Sequence, residues 1–185
     1  MHVVAPAGGP AAVPSPPPAS SEATRHVMQA NRSKNTKPEL LVRAALREAG
    51  LTGYRLHWKK APGRPDVCFP GRRVAVFVHG CFWHRCPHCS PSRPKTHPEF
   101  WEAKFARNRE RDERDNALLV SAGWTVIVVW ECRLRRASRE RTLTELVEEV
   151  RRAREGMGAP RVVEVGSPGA WRLRRLRARR RSRRR

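Results

Sequence analysis

The stretch Asp66-Val67-Cys68-Phe69-Pro70-Gly71-Arg72-Arg73-Val74-Ala75-Val76-Phe77-Val78-His79 decides the architecture. Two apolar runs flank a Pro-Gly turn, the sequence signal of a β-hairpin. If Phe69 pairs with Val74 across the four-residue loop, counting outward sets Asp66 opposite Phe77. Asp66 and His79 then share one face as diagonal neighbours, about 7–8 Å apart at the backbone. An acid and an imidazole at the mouth of a hairpin can bracket a metal-bound phosphate.

Reading outward from the hairpin completes an α/β pattern. Upstream, Thr36-Lys37-Pro38-Glu39 reads as a capping box, in which the Thr hydroxyl caps a free amide and the Glu reaches back to the cap residue. Leu40, Leu41, Ala44, Ala45 and Leu46 supply an apolar stripe, and Gly50 stops this first helix. A strand over Tyr54 to Trp58 leads through Pro62-Gly63-Arg64-Pro65 to the hairpin. Downstream, Thr96-His97-Pro98-Glu99 reads as a second capping box opening a long helix to about Ala122, closed by Gly123. The continuous apolar run Thr125 to Trp130 fits a strand covered on both faces. A charged amphipathic helix over roughly Ser138 to Glu155 follows. Helix, hairpin, helix, strand, helix predicts an α/β fold with a small mixed central sheet flanked by helices.

Composition bounds the function. The 185 residues carry 39 Lys and Arg against 17 Asp and Glu, a formal charge of +22. Such an excess argues against an ordinary metabolic enzyme and for a polyanionic partner, most simply nucleic acid. Ten of the arginines lie between Arg172 and Arg185, a segment without acids, and the remainder still carries +12. We expect a disordered Pro/Ala-rich segment over residues 1–24, one domain over 25–165, and a disordered Arg-rich tail over 166–185. No run approaches the roughly 18 apolar residues of a spanning helix, and the N-terminus has no signal-peptide pattern. A soluble cytoplasmic protein is expected. Five cysteines make an odd count, which favours metal binding or plain burial over a disulfide framework.

Three constellations could carry chemistry. On the long helix, Trp101, Phe105, Asn108, Asp112, Asp115, Leu119 and Ala122 recur at steps of four and three, so they share a face. Asp112 thus sits within the buried stripe, where a carboxylate needs an arginine or a metal as partner. Cys86-Pro87-His88-Cys89 and the strand-terminal Cys132 offer zinc ligands, whereas the bland reading is an Asp–Arg pair with separately buried thiols. Phe82, Trp83 and Trp101 could stack on or wedge between bases; for Trp101, on the buried stripe, a core role is the simpler reading. Asp66, His79 and His84 gather at the hairpin mouth, where a carboxylate can hold magnesium and histidines can move protons. Together they favour metal-assisted phosphodiester hydrolysis. Capping alone explains Glu39, because Thr96-His97-Pro98-Glu99 repeats its motif.

Taken in order and spacing, Arg32 to Glu39, Gly63-Arg64-Pro65-Asp66, Phe77 to His84, Phe100-Trp101, Asn108 to Asp112, and Gly123-Trp124 through Trp130-Glu131-Cys132 resemble the very-short-patch-repair (Vsr) DNA mismatch endonucleases. The resemblance spans roughly Arg25 to Glu155. It implies a restriction-endonuclease-like fold and a magnesium-dependent endonuclease that nicks one strand 5′ of the T in T·G mismatches left by deamination of 5-methylcytosine. By the same resemblance, Asp66 and the main-chain carbonyl of Val78 bind magnesium, a position where the family often has a hydroxyl residue. His84 is the general acid/base, His79 stands where related nucleases place a lysine, and Glu39 lies near the active site. Structural zinc is held by Cys86, His88, Asp112 and Cys132, with Cys89 a spare thiolate able to replace His88. Phe82, Trp83 and Trp101 form the wedge that enters the DNA stack, overturning the core reading of Trp101. The implied partner is double-stranded DNA with a T·G mismatch, alongside other mismatch-repair proteins. The protein is then a bacterial, nucleoid-associated monomer without membrane contact. Two alternatives stand beside this reading: a non-catalytic zinc-stabilised DNA-binding module and a restriction-type nuclease. Asp66 separates the first from an enzyme, since a pure binder gains nothing from a carboxylate that repels phosphate.

Overall fold

The valine-rich run Val74–His79 is the central strand, β3, of a five-stranded sheet, because its apolar side chains alternate between two covered faces. The computed structural model describes residues 34–154 and 159–166, with isolated positions 17–18, 22 and 25–26. The readings of the two terminal segments otherwise concern residues outside this range. Helix α1 (Lys37–Glu48) precedes β1 (Arg55–Leu56), β2 (Val67–Phe69) and β3. Helix α2 (Pro98–Ser121), β4 (Thr125–Trp130), α3 (Arg139–Arg154) and β5 (Val162–Val165) follow. The strands lie in the order β1-β2-β3-β4-β5, antiparallel from β1 to β3 and parallel from β3 to β5. This mixed, helix-flanked sheet is the α/β, restriction-endonuclease-like architecture expected from the sequence.

Strand periodicity divides the core in two. Val74, Val76, Ile127 and Val129 face α1 and α3, meeting Val42, Leu46, Leu146 and Val150. Ala75, Phe77, Val126 and Val128 face the other way and meet Leu119 of α2. The hairpin register is the one counted from the sequence, with Phe69 opposite Val74 and Val67 opposite Val76. One further step outward brings Asp66 to Phe77.

Local differences have physical causes. The expected strand over Tyr54 to Trp58 is reduced to Arg55–Leu56, since His57 turns the chain at φ +44°. The Thr36 box forms in full, with both reciprocal contacts present. The second box does not, because His97 occupies the cap position in a left-handed conformation and its side chain caps nothing. β5 is an addition to the elements expected from the sequence. Its Val162-Val163-Glu164-Val165 run pairs with the edge that β4 leaves free, and α3 clamps it: Glu145 accepts the Gly166 amide at 2.7 Å, and Arg161 pairs with Glu149 at 2.8 Å.

Gly63 lies where the loop before β2 crosses Phe77. With φ +68°, a Cβ there would meet Phe77 Cζ at 3.0 Å and Asp115 Cβ at 3.2 Å. Both the backbone conformation and the space demand glycine. Gly63→Ala is expected to lower unfolding stability by about 1–3 kcal/mol in urea titrations, whereas Gly71→Ala, with nothing within 4 Å, serves as the neutral control.

Candidate active site

Asp66 stands immediately before β2, at the end of the sheet where the parallel strands β3 and β4 finish, the usual location of sites in α/β folds. Its Oδ2 accepts the Val78 amide at 2.7 Å. Burial pushes its carboxyl up to about 6 against the pull of that amide, and the nearby Glu39 carboxylate pushes the same way. Glu39, 5 % exposed, does more than close a capping box. Its Oε1 accepts the Thr36 hydroxyl at 2.8 Å and its Oε2 the Asn35 amide at 3.0 Å, which fixes the carboxylate beside Asp66. A desolvated carboxylate next to another is a place where a divalent cation balances charge that the protein leaves unbalanced, so these residues fit magnesium.

His57, absent from the candidates that the sequence marks, completes this side of the site. Its imidazole lies between the two carboxylates, with Nδ1 3.5 Å from Asp66 Oδ1 and Nε2 3.6 Å from Glu39 Oε2. No local signal singles it out, because a lone histidine after a short strand is ordinary.

On the other side, at the end of β3, the His79 ring stacks on that of His84 at 4.0 Å and 7°. Burial, reinforced by the neighbouring His84, drives His79 down to about 3, so its imidazole is uncharged at neutral pH. His84 Nδ1 hydrogen-bonds Asp112 Oδ2. Burial opposes ionisation of Asp112, yet the contact with His84 outweighs it and holds the carboxyl below its ordinary range. The inward Asp112 of the helix stripe thus serves a histidine.

The zinc set expected from the sequence is not brought together in this structure. Asp112 is engaged by His84, and His88 Nε2 instead contacts Glu164 of β5 at 2.6 Å, so neither joins Cys86 and Cys132. The structure gathers Cys81, Cys86, Cys89 and Cys132, with sulfurs within 4.8 Å of one another. Cys86 and Cys132 sulfurs are 3.7 Å apart, close to the roughly 3.8 Å edge of a tetrahedron with 2.3 Å zinc–sulfur bonds. The Cys132 amide donates to Cys81 Sγ at 3.3 Å and the His88 amide to Cys86 Sγ at 3.4 Å, contacts that stabilise thiolates. Four converging thiols with amide donors fit zinc. The spacing Cys81, Cys86, Cys89 is legible in the chain; what hides Cys81 is its place beside the aromatic pair rather than in the dense Cys86–Cys89 cluster.

The expected wedge residues do come together. Phe82 lies 5.0 Å from Trp83 and 5.5 Å from Trp101, ring centroid to centroid, and all three are half-buried rather than sealed in the core. Phe105 beneath them is buried and supports Phe82 edge-on at 5.3 Å. The Lys104 ammonium rests over Trp83 and Trp101 at 5.1 and 5.2 Å. Trp83 also borders the cleft of about 1020 Å³ that holds Glu39, Asp66, His79, His84 and Asp112. Arg64, Arg111 and Arg114 line the same cleft.

Comparison with known proteins agrees with the geometry. The family model for DNA mismatch endonuclease Vsr matches residues 20–90. The Type II nicking enzyme V.XorIIP of Xanthomonas oryzae is 48 % identical over 115 residues, covering 62 % of this chain and 84 % of that protein. The Type II nicking enzyme V.NmeAIP of Neisseria meningitidis is 41 % identical over 129 residues, 69 % of this chain and 91 % of its own. The DNA mismatch endonuclease Vsr of Escherichia coli is 40 % identical over 125 residues, 66 % of this chain and 79 % of its own. With identity at this level across most of each relative's length, and with the motifs folded around one cleft, the chain belongs to the Vsr DNA mismatch endonuclease family.

Proposed function

We propose that this protein is a magnesium-dependent endonuclease that nicks one strand of duplex DNA 5′ of the T in a T·G mismatch created by deamination of 5-methylcytosine. The observation that carries the reading is the juxtaposition, in one cleft, of a desolvated carboxylate (Asp66) with a histidine–carboxylate pair (His84 and Asp112). Asp66 and the Val78 carbonyl would hold the cation, which when bound supplies Lewis-acid polarisation of the scissile phosphate. His84 moves the proton. Asp112 at Nδ1 holds the ring in the tautomer that leaves Nε2 free and stabilises the imidazolium formed during transfer. His79, uncharged and stacked on His84, orients that ring without adding a competing charge. The half-buried Phe82, Trp83 and Trp101 would enter the base stack beside the mismatch, which is weaker than a paired step and cheaper to unstack. The excess of Lys and Arg, with Arg64, Arg111 and Arg114 at the cleft, would supply phosphate affinity that falls with salt.

Labelled duplexes incubated with magnesium test the reading. Wild type is expected to nick the T·G duplex in preference to the paired one. Asp66→Ala should lose at least about 10³-fold in rate, and His84→Ala and Asp112→Asn about 10²-fold or more. A wild type that cuts neither duplex, or an Asp66→Ala variant as active as wild type, removes the mechanism.

The raised Asp66 carboxyl gives a pH dependence whose sign follows directly. A cation must displace a proton held up to about pH 6, so at limiting magnesium the rate falls as pH drops through about 6. Raising magnesium moves that acid limb to lower pH. A limb that magnesium concentration does not shift contradicts the assignment.

For zinc, elemental analysis of purified protein is expected to find one ion per chain. Cys132→Ala should lower both the zinc content and Tm, the latter by at least about 5 °C, whereas His88→Ala keeps the zinc. Zinc lost with His88 rather than with Cys81 or Cys89 would restore the set of Cys86, His88, Asp112 and Cys132.

A further inference from the structure

We propose that His57, Glu39 and Asp66 form a mixed imidazole–carboxylate cation subsite that makes this cleft selective for transition-metal ions such as Mn²⁺ over Mg²⁺. The inference rests on the reading of Asp66 as a cation ligand and extends it to a donor of different chemistry. One ligand atom from each of the three residues falls within 4.8 Å of the other two. The His57 contacts, 3.5 Å to Asp66 and 3.6 Å to Glu39, are too long for hydrogen bonds. An imidazole gives one ion only one nitrogen, and Nδ1, 3.5 Å from Asp66 Oδ1, lies near the roughly 3.0–3.6 Å separation of neighbouring donors that share an ion at about 2.1–2.2 Å, with a Glu39 oxygen completing the group. Donor capacity is also available. Asp66 Oδ2 is occupied by the Val78 amide, which leaves Oδ1 as the oxygen beside the imidazole. Glu39 Oε1 accepts both the hydroxyl and the amide of Thr36, whereas Oε2, the oxygen beside His57, accepts only the Asn35 amide and keeps a lone pair. His57 is itself 20 % exposed at the side chain, open enough for an ion to enter.

Imidazole changes what such a site prefers. A site of carboxylates, carbonyls and water suits magnesium, whereas a nitrogen donor raises affinity for Mn²⁺ and later first-row ions far more than for Mg²⁺. The effect requires direct coordination, which separates it from a histidine that merely steadies two carboxylates.

The test uses the full-length, zinc-loaded protein and Mn²⁺ as probe, followed by electron paramagnetic resonance. Spin-echo modulation from a directly bound nitrogen is expected in the wild type and absent in His57→Asn, a residue at home in the left-handed conformation that His57 adopts. Mn²⁺ affinity should fall at least about tenfold in the variant, while Mg²⁺ affinity moves less than about threefold. Should His57→Asn fail to fold, proton resonance of the wild type decides. Substoichiometric Mn²⁺ then broadens the His57 ring signals before those of His79 and His84. Bound Mn²⁺ without nitrogen modulation, modulation that persists in His57→Asn, or His79 and His84 broadening first would each overturn the subsite. Nitrogen-coupled Mn²⁺ in a protein that nicks no duplex removes the proposed nicking and leaves the subsite. Nicking without nitrogen coupling does the reverse.

Discussion

The hydrogen bond from the Val78 amide to the Asp66 carboxylate is the contact on which the rest of the site depends. The β2–β3 ladder ends at Val67 and Val76, and beyond it a side chain rather than a backbone carbonyl satisfies the next inner amide. A buried amide must find an acceptor. Using Asp66 for that purpose holds a carboxylate against β3 in surroundings that disfavour its charge. Gly63 lets the preceding loop pass over Phe77 closely enough for Asp66 to arrive there. Glu39 comes from α1, fixed by its cap, and His57 from the turn after β1.

The second half of the site is built by a loop with little regular structure of its own. Residues Gly80 to Cys89 are held by backbone contacts, His84 amide to Gly80 oxygen and Cys86 amide to Cys81 oxygen, and by the Cys81 amide donating to Glu131. The four thiols join its two ends to Cys132, just after β4. Between those anchor points lie Phe82, Trp83 and His84, so one tether positions both the aromatic cluster and the proton-transfer residue. Asn108 of α2 donates to the Trp83 carbonyl at 3.0 Å, and Asp112, one helical turn later, takes His84. Two of the three polar residues within the apolar stripe of α2, Asn108 and Asp112, therefore grip this loop.

That division explains what is legible in the linear chain. Hairpin register follows from a period of two and a countable turn, so the meeting of Asp66 with Phe77 comes from counting residues alone. The Thr36 box is equally legible, since its partners lie three residues apart. Helical period places Asp112 on the inward face but leaves its partner open, and the structure sets it against His84. Periodicity says which way a side chain points and nothing about which loop will meet it. Cys81 and Cys89 replace His88 and Asp112 around the sulfur cluster for the same reason.

The helices and central strands, the hairpin register, the inward face of α2 and the identity of the chemical groups are legible in the chain, because each follows from local periodicity, turn chemistry or residue type. The tertiary structure alone decided the partnerships: His84 with Asp112, His88 with Glu164, four cysteines together, and His57 between two carboxylates. It also decided β5, which pairs with the edge of β4 and is held there by Glu145 and Glu149 of α3. The histidine contacts among them join residues from 9 positions apart, as with His57 and Asp66, to 76 apart, as with His88 and Glu164. Their pairing is set by which elements the sheet brings to its active end, a property of the folded chain as a whole.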